Sequence, residues 1–115
     1  MKPIPFVIAT LLLLLDTGPA LAHAHLRGSN PANHSTLSQA PDHLRLQFNE
    51  PVRLTALSLE AGGGAPSKLG PLPTVAAAEF SIPLPALAPG GYTVRWRAAS
   101  DDGHIMSDSL SFTVR

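Results

Sequence analysis

Four stretches of this sequence alternate apolar and polar residues with a period of two, and each is soon cut off by proline, glycine or asparagine. In LRLQF, Leu44, Leu46 and Phe48 alternate with Arg45 and Gln47; LTALSLE continues the pattern with Leu57 and Leu59. YTVRWRA sets Tyr92, Val94 and Trp96 against Thr93, Arg95 and Arg97, and SLSFTVR does the same with Leu110, Phe112 and Val114. Successive side chains of a strand point to opposite faces, so each stretch predicts a half-buried β-strand. Weaker strands are predicted over Ala24–Ser29 and Ala78–Pro83, the latter with Phe80 and Ile82 inward. No stretch of the mature chain carries the helical period. The connections SNPANHSTLSQAPD, AGGGAPSKLGPLP and PALAPGG are rich in the residues that make turns. Short strands at this spacing predict an all-β fold, a single β-sandwich of immunoglobulin-like or cupredoxin-like topology. There is no internal repeat, and no second domain or membrane helix is expected after the last strand.

The first residues follow another logic. Met1 and Lys2 form a short positive start, and Phe6–Leu15 is an apolar run broken soon afterwards by Asp16, Gly18 and Pro19. A membrane-spanning helix needs about twenty apolar residues, so this run predicts a cleavable secretory signal and not an anchor. Two cuts satisfy the need for small residues at the cleavage site, one after Ala22 and one after Ala24. We expect the first, giving a signal peptide over 1–22 and a mature domain over 23–115, because polar His23 fits poorly in a signal tail. Either cut makes a histidine the first residue. No cysteine lies near the cut to carry a lipid.

About ninety mature residues suffice for one small domain. The chain has no cysteine, so it must fold on its packed core, without disulfides or thiolate metal sites. Its mature part carries as many acidic as basic residues, with no run of like charge. Nothing in that balance points to nucleic acid or to a membrane surface.

Chemistry concentrates in two places. An N-terminal His23 would present an α-amine and its own imidazole Nδ1, which close a six-membered chelate ring on one metal ion. The second place is SDDGHIMSD at 100–108, where Asp102 and His104 flank Gly103, a residue free to turn the backbone so that carboxylate and imidazole converge. Asp-Gly-His by itself is an ordinary polar turn. Joined to an N-terminal histidine it gives three nitrogens and one oxygen, a set suited to tetragonal Cu(II). Asp101 competes with Asp102 for the carboxylate role, but the i, i+2 spacing to His104 favours Asp102.

With these residues, the sequence resembles the CopC-type periplasmic copper-binding proteins of copper resistance and homeostasis. The resemblance is carried by HAHL, SNPANHSTLSQAPDHLRLQFNEPV, LPALAPGGYTVRWRAASDDGH and SLSFTVR, essentially the whole mature chain. It implies a small Greek-key β-barrel and one Cu(II) per mature chain, held by His23, Asp102 and His104. It places the carboxylate of Glu50, in FNEP, beside the site. It further implies a periplasmic monomer that is not an enzyme, with copper as its cargo and an inner-membrane copper transporter of the CopD type as a partner. The Met-rich Cu(I) loop of some members is absent, since Met106 is the sole methionine left after cleavage and one thioether cannot build such a site. Ile105 stands where many relatives have proline.

Other readings compete at particular residues. His-Ala-His at 23–25 could bind Cu(II) by itself through the amine, two deprotonated amides and the His25 imidazole, a mode that requires a flexible terminus. If the first strand forms, His25 shares a face with His23 and serves as an outer hydrogen-bond partner. His34 and His43 lie in polar loops and read as plain surface residues, and Trp96 reads as core. At the level of function, a copper carrier or buffer stands against a histidine-brace copper redox enzyme of the monooxygenase kind, and against a sandwich domain that mediates protein contacts. A carboxylate in the fourth in-plane position and the lack of an aromatic flat face argue against the enzyme.

Overall fold

The computed structural model describes residues 24–115; the signal peptide expected over 1–22 and His23 lie outside the described residues. Seven strands make up the fold: β1 (Leu26–Asn30), β2 (Ser35–Leu37), β3 (His43–Ala61), β4 (Ser67–Lys68), β5 (Ala77–Pro83), β6 (Gly90–Ser100) and β7 (Ile105–Val114). No helix occurs among the described residues.

LRLQF and LTALSLE, which read as two strands in the sequence, are one strand, β3. Its first half lies between β1 and β5, antiparallel to both, with Leu46 opposite Ser29 on one side and Phe80 on the other. Its second half, from Val52, pairs with β6 and, near its end, with β4. The strand thus joins the two halves of one seven-stranded sheet, which curls over at this corner. Pro51 suggests a break, yet it sits at the corner, where Asn49–Pro51 are paired in no ladder among the described residues and its missing N–H costs nothing.

The alternation also slips once. Leu54 and Leu57 are both buried though three residues apart, and the β3–β6 register shifts between Leu54 and Ala56. This bulge restores Leu57 and Leu59 to the inner face, which an unbroken period of two from Leu54 would turn outward. β6 and β7 form a hairpin closed by residues 101–104, and β2 runs parallel to the end of β7. β7 begins at Ile105, earlier than the SLSFTVR stretch indicates.

The inward residues of both halves of the sheet meet in one core. Phe48 packs edge-on against Phe80, with ring centroids 6.1 Å apart, and against Trp96, at 5.2 Å. Such T-shaped pairs add to the burial term itself. Tyr92 stacks on Phe112, and its hydroxyl donates to the Ala88 carbonyl at 2.5 Å, tying the turn before β6 to that strand. Phe80, Ile82 and Trp96 are buried as their alternation requires. The result is the all-β sandwich that the pattern predicts.

Candidate metal centre

The β6–β7 turn is built by its own short-range bonds. The Gly103 N–H donates to the Ser100 carbonyl at 3.0 Å, and the Ser100 N–H to the His104 carbonyl at 2.8 Å. Gly103 takes φ +90°, a conformation that a Cβ would strain, and so reverses the chain between Asp102 and His104. His104 Nδ1 lies 2.8 Å from Asp102 Oδ2. The other carboxylate oxygen, Oδ1, accepts from the Ser100 hydroxyl and from the His104 N–H at 3.3 Å.

This arrangement assigns the two oxygens different work. Oδ1 is held by donors of the turn, whereas Oδ2 faces the imidazole. The Ser100 hydroxyl is the main reason that the Asp102 carboxyl is held down at about 2, with the His104 ring and N–H adding to it. Asp102 is therefore a fixed anion at any neutral or mildly acidic pH. Two ligand atoms each about 2.0 Å from an ion, as for imidazole nitrogen on zinc, and at right angles to each other stand about 2.8 Å apart. The Nδ1–Oδ2 separation of 2.8 Å is one at which both atoms could bind a single metal ion in place of their hydrogen bond.

Among the described residues no group of three or more His, Asp or Glu gathers to hold a metal; Asp102 and His104 stand as a pair. Glu50, at the β3 corner, and the turn share one cleft of about 580 Å³, lined also by Val52, Ser100, Asp101 and Gly103. Val52 pairs with Ser100, which fixes the corner beside the turn. Glu50 is half-buried and makes no hydrogen bond to a described residue, so its carboxylate is available to a donor entering the cleft.

The chain start comes to the same corner. The His25 N–H donates to Asn49 Oδ1 at 2.6 Å, and the Asn49 N–H donates back to the His25 carbonyl at 3.1 Å. Ala24 is a buried member of the core, and the His25 side chain is exposed. The two bonds place residue 25 against the neighbour of Glu50, two residues after His23.

The remaining histidines lie away from this corner. The His34 N–H donates to the Ser111 carbonyl at 2.6 Å, seven residues along β7 from His104, about 23 Å at 3.3 Å per residue. His34 has φ +66°, in the turn that docks β2 on β7. His43 pairs with Asp42 at 3.1 Å at the far end of β3. Both are surface residues, as their loops suggest. Asp101 is exposed and lines the cleft, whereas Asp102 carries the contact to His104.

Ser100 and Asn49 were not singled out by the sequence. Serine two residues before aspartate in a turn is a recognisable local pattern, since hydroxyls of this kind bond the nearby chain. Nothing local signals Asn49, whose partner is 24 residues away.

Comparison with known proteins agrees with this fold. The CopC domain family matches residues 26–115. The copper resistance protein C of Escherichia coli is 32% identical over 107 residues, covering 84% of each chain. The crystal structure of CopC from Methylosinus trichosporium OB3b superposes with a TM-score of 0.68 at 26% identity, covering 80% of this chain and 93% of that one. That of PcoC, a methionine-rich copper resistance protein from Escherichia coli, gives 0.62 at 30% identity, covering 82% and 100%. With the family matched across every strand of the fold, this chain belongs to the CopC family.

Proposed function

We propose that this protein is exported, loses residues 1–22, and binds one Cu(II) per mature chain as a periplasmic copper carrier or buffer in copper resistance or homeostasis. The ligands in this reading are the α-amine and imidazole of His23, the Asp102 carboxylate and the His104 imidazole. The observation that carries it is the 2.8 Å contact between His104 Nδ1 and Asp102 Oδ2, on a turn whose Ser100, Asp101 and Gly103 share a cleft with Glu50. Copper is the cargo: it binds, travels and leaves, and no bond of a substrate is made or broken. The fixed charge of Asp102 offsets part of the ion's charge, and its place in the ligand plane occupies a position that oxygen chemistry would need open. Glu50 accepts a hydrogen bond from an N–H of the His23 end, and His25 serves beside it as a further outer partner. The Met-rich character named for PcoC has no counterpart here, Met106 being the sole methionine after residue 1. A membrane copper transporter of the CopD type is the proposed recipient or source.

Processing after Ala22 is supported by Ala24 and His25. Ala24 packs in the core and His25 is bonded on both sides of its backbone, so a cut after Ala24 would remove a core residue. Titrating mature protein with Cu(II) under spin resonance tests the assignment. One equivalent with three nitrogens and one oxygen, lost in His104→Ala, is expected; a spectrum unchanged by His104→Ala would remove the turn from the site.

A further inference from the structure

A chain that begins His23-Ala24-His25 has two chemically distinct ways to hold Cu(II). In one, the amine and the His23 imidazole join Asp102 and His104. In the other, the amine, the amide nitrogens of Ala24 and His25 and the His25 imidazole encircle the ion. Each amide nitrogen then gives its proton to solvent as its bond to copper forms. This second mode needs nothing from the rest of the fold. It requires only that the backbone over 23–25 be free to wrap around the metal.

The structure restrains that segment, and Asn49 holds the amide of His25 itself. Asn49 Oδ1 takes the His25 N–H at 2.6 Å, the group whose nitrogen the second mode would use. Asn49 also gives its own N–H to the His25 carbonyl at 3.1 Å, so both sides of His25 are bonded to one partner. Ala24 is held in the core at 7% exposure, and Leu26 enters the ladder opposite Phe48. A peptide group fixed in this way cannot turn its nitrogen towards a metal without breaking the bond to Asn49 and lifting Ala24 out of the core.

We infer that Asn49 determines which coordination mode this chain uses: by holding the His25 amide it closes the four-nitrogen terminal mode and reserves the ion for His23, Asp102 and His104. The inference rests on the proposed mature start at His23. In this reading Asn49 acts through the backbone of His25.

The test uses mature protein with its first residue verified by mass, one equivalent of Cu(II), and visible and spin-resonance spectra. Wild type and Asn49→Asp, which keeps an oxygen for the His25 N–H, should give the signature of three nitrogens and one oxygen. Asn49→Ala should move the visible band to higher energy and show four nitrogens. That new spectrum should survive His104→Ala and vanish with His25→Ala. An Asn49→Ala protein that is folded by circular dichroism and keeps the wild-type, His104-dependent spectrum overturns the inference while leaving the proposed site intact. A wild-type protein that already shows four nitrogens, insensitive to His104→Ala, overturns the proposed site itself. Should Asn49→Ala not fold, hydrogen exchange of the wild-type His25 amide decides: protection supports the bond's role, and exchange at the rate of a free peptide overturns it.

Discussion

Removing the Ser100 hydroxyl takes from Asp102 Oδ1 the donor that does most to hold its charge and leaves the His104 N–H at 3.3 Å. The carboxylate is then free to rotate, and the orientation of Oδ2 towards His104 is no longer fixed. Ser100→Ala is expected to weaken Cu(II) binding about 10-fold, within the range usual for outer partners of metal ligands, while Ser100→Thr stays near wild type. Competition against a chelator reads both. Glu50→Gln should cost about 10- to 100-fold by the same assay, and unchanged affinity would reduce Glu50 to a corner residue. The acid behaviour follows from the sign of the Asp102 shift. Its carboxyl is lowered from 3.8 to about 2, so the charge that the fold protects contributes above about 3.8 and is lost only as pH falls through about 2. Protons compete with copper between pH 7 and 5 at imidazole and amine, whose ordinary values are about 6.5 and 7.7 to 8.0. Copper affinity should fall across that range, but the ratio of wild type to Asp102→Asn should stay constant; a changing ratio would mean that Asp102 itself titrates there.

β3 shows what a sequence reveals of a strand and what it conceals. The inward sets Leu44–Leu46–Phe48 and Phe80–Ile82 were legible because burial on one face writes itself into every second residue. The bulge after Leu54 and the joining of both halves of the sheet by one strand were not, because both depend on partners chosen by the whole fold. The same holds for the site. Asp102 and His104 are legible as a local turn, whereas the pairing of Asn49 with His25 exists only once β1 lies along β3. Within β6, Trp96 is buried against Phe48, yet its Nε1 has no hydrogen-bond partner among the described residues. Trp96→Phe loses volume but no hydrogen bond that this structure records, so it should cost well below the about 3–5 kcal/mol expected of Trp96→Ala. Urea unfolding at neutral pH measures the two; equal losses would show that the indole N–H has a bonded partner.

At the scale of the molecule, the fold brings three distant stretches of chain to one corner. The β3 corner contributes Glu50 and Asn49, the β6–β7 turn contributes Ser100, Asp102 and His104, and β1 leads back towards residue 23 along the bonds of His25 to Asn49. The described residues supply an imidazole and a carboxylate, and the account requires the missing nitrogens to come from the first residue of a processed chain. The most direct test compares mature protein beginning at His23 with the same chain carrying one methionine before His23, at fixed pH, against a competing chelator. The account predicts that the added residue, which abolishes the free amine of His23 and its chelate ring while leaving every side chain in place, lowers Cu(II) affinity by orders of magnitude. Equal affinities would contradict it.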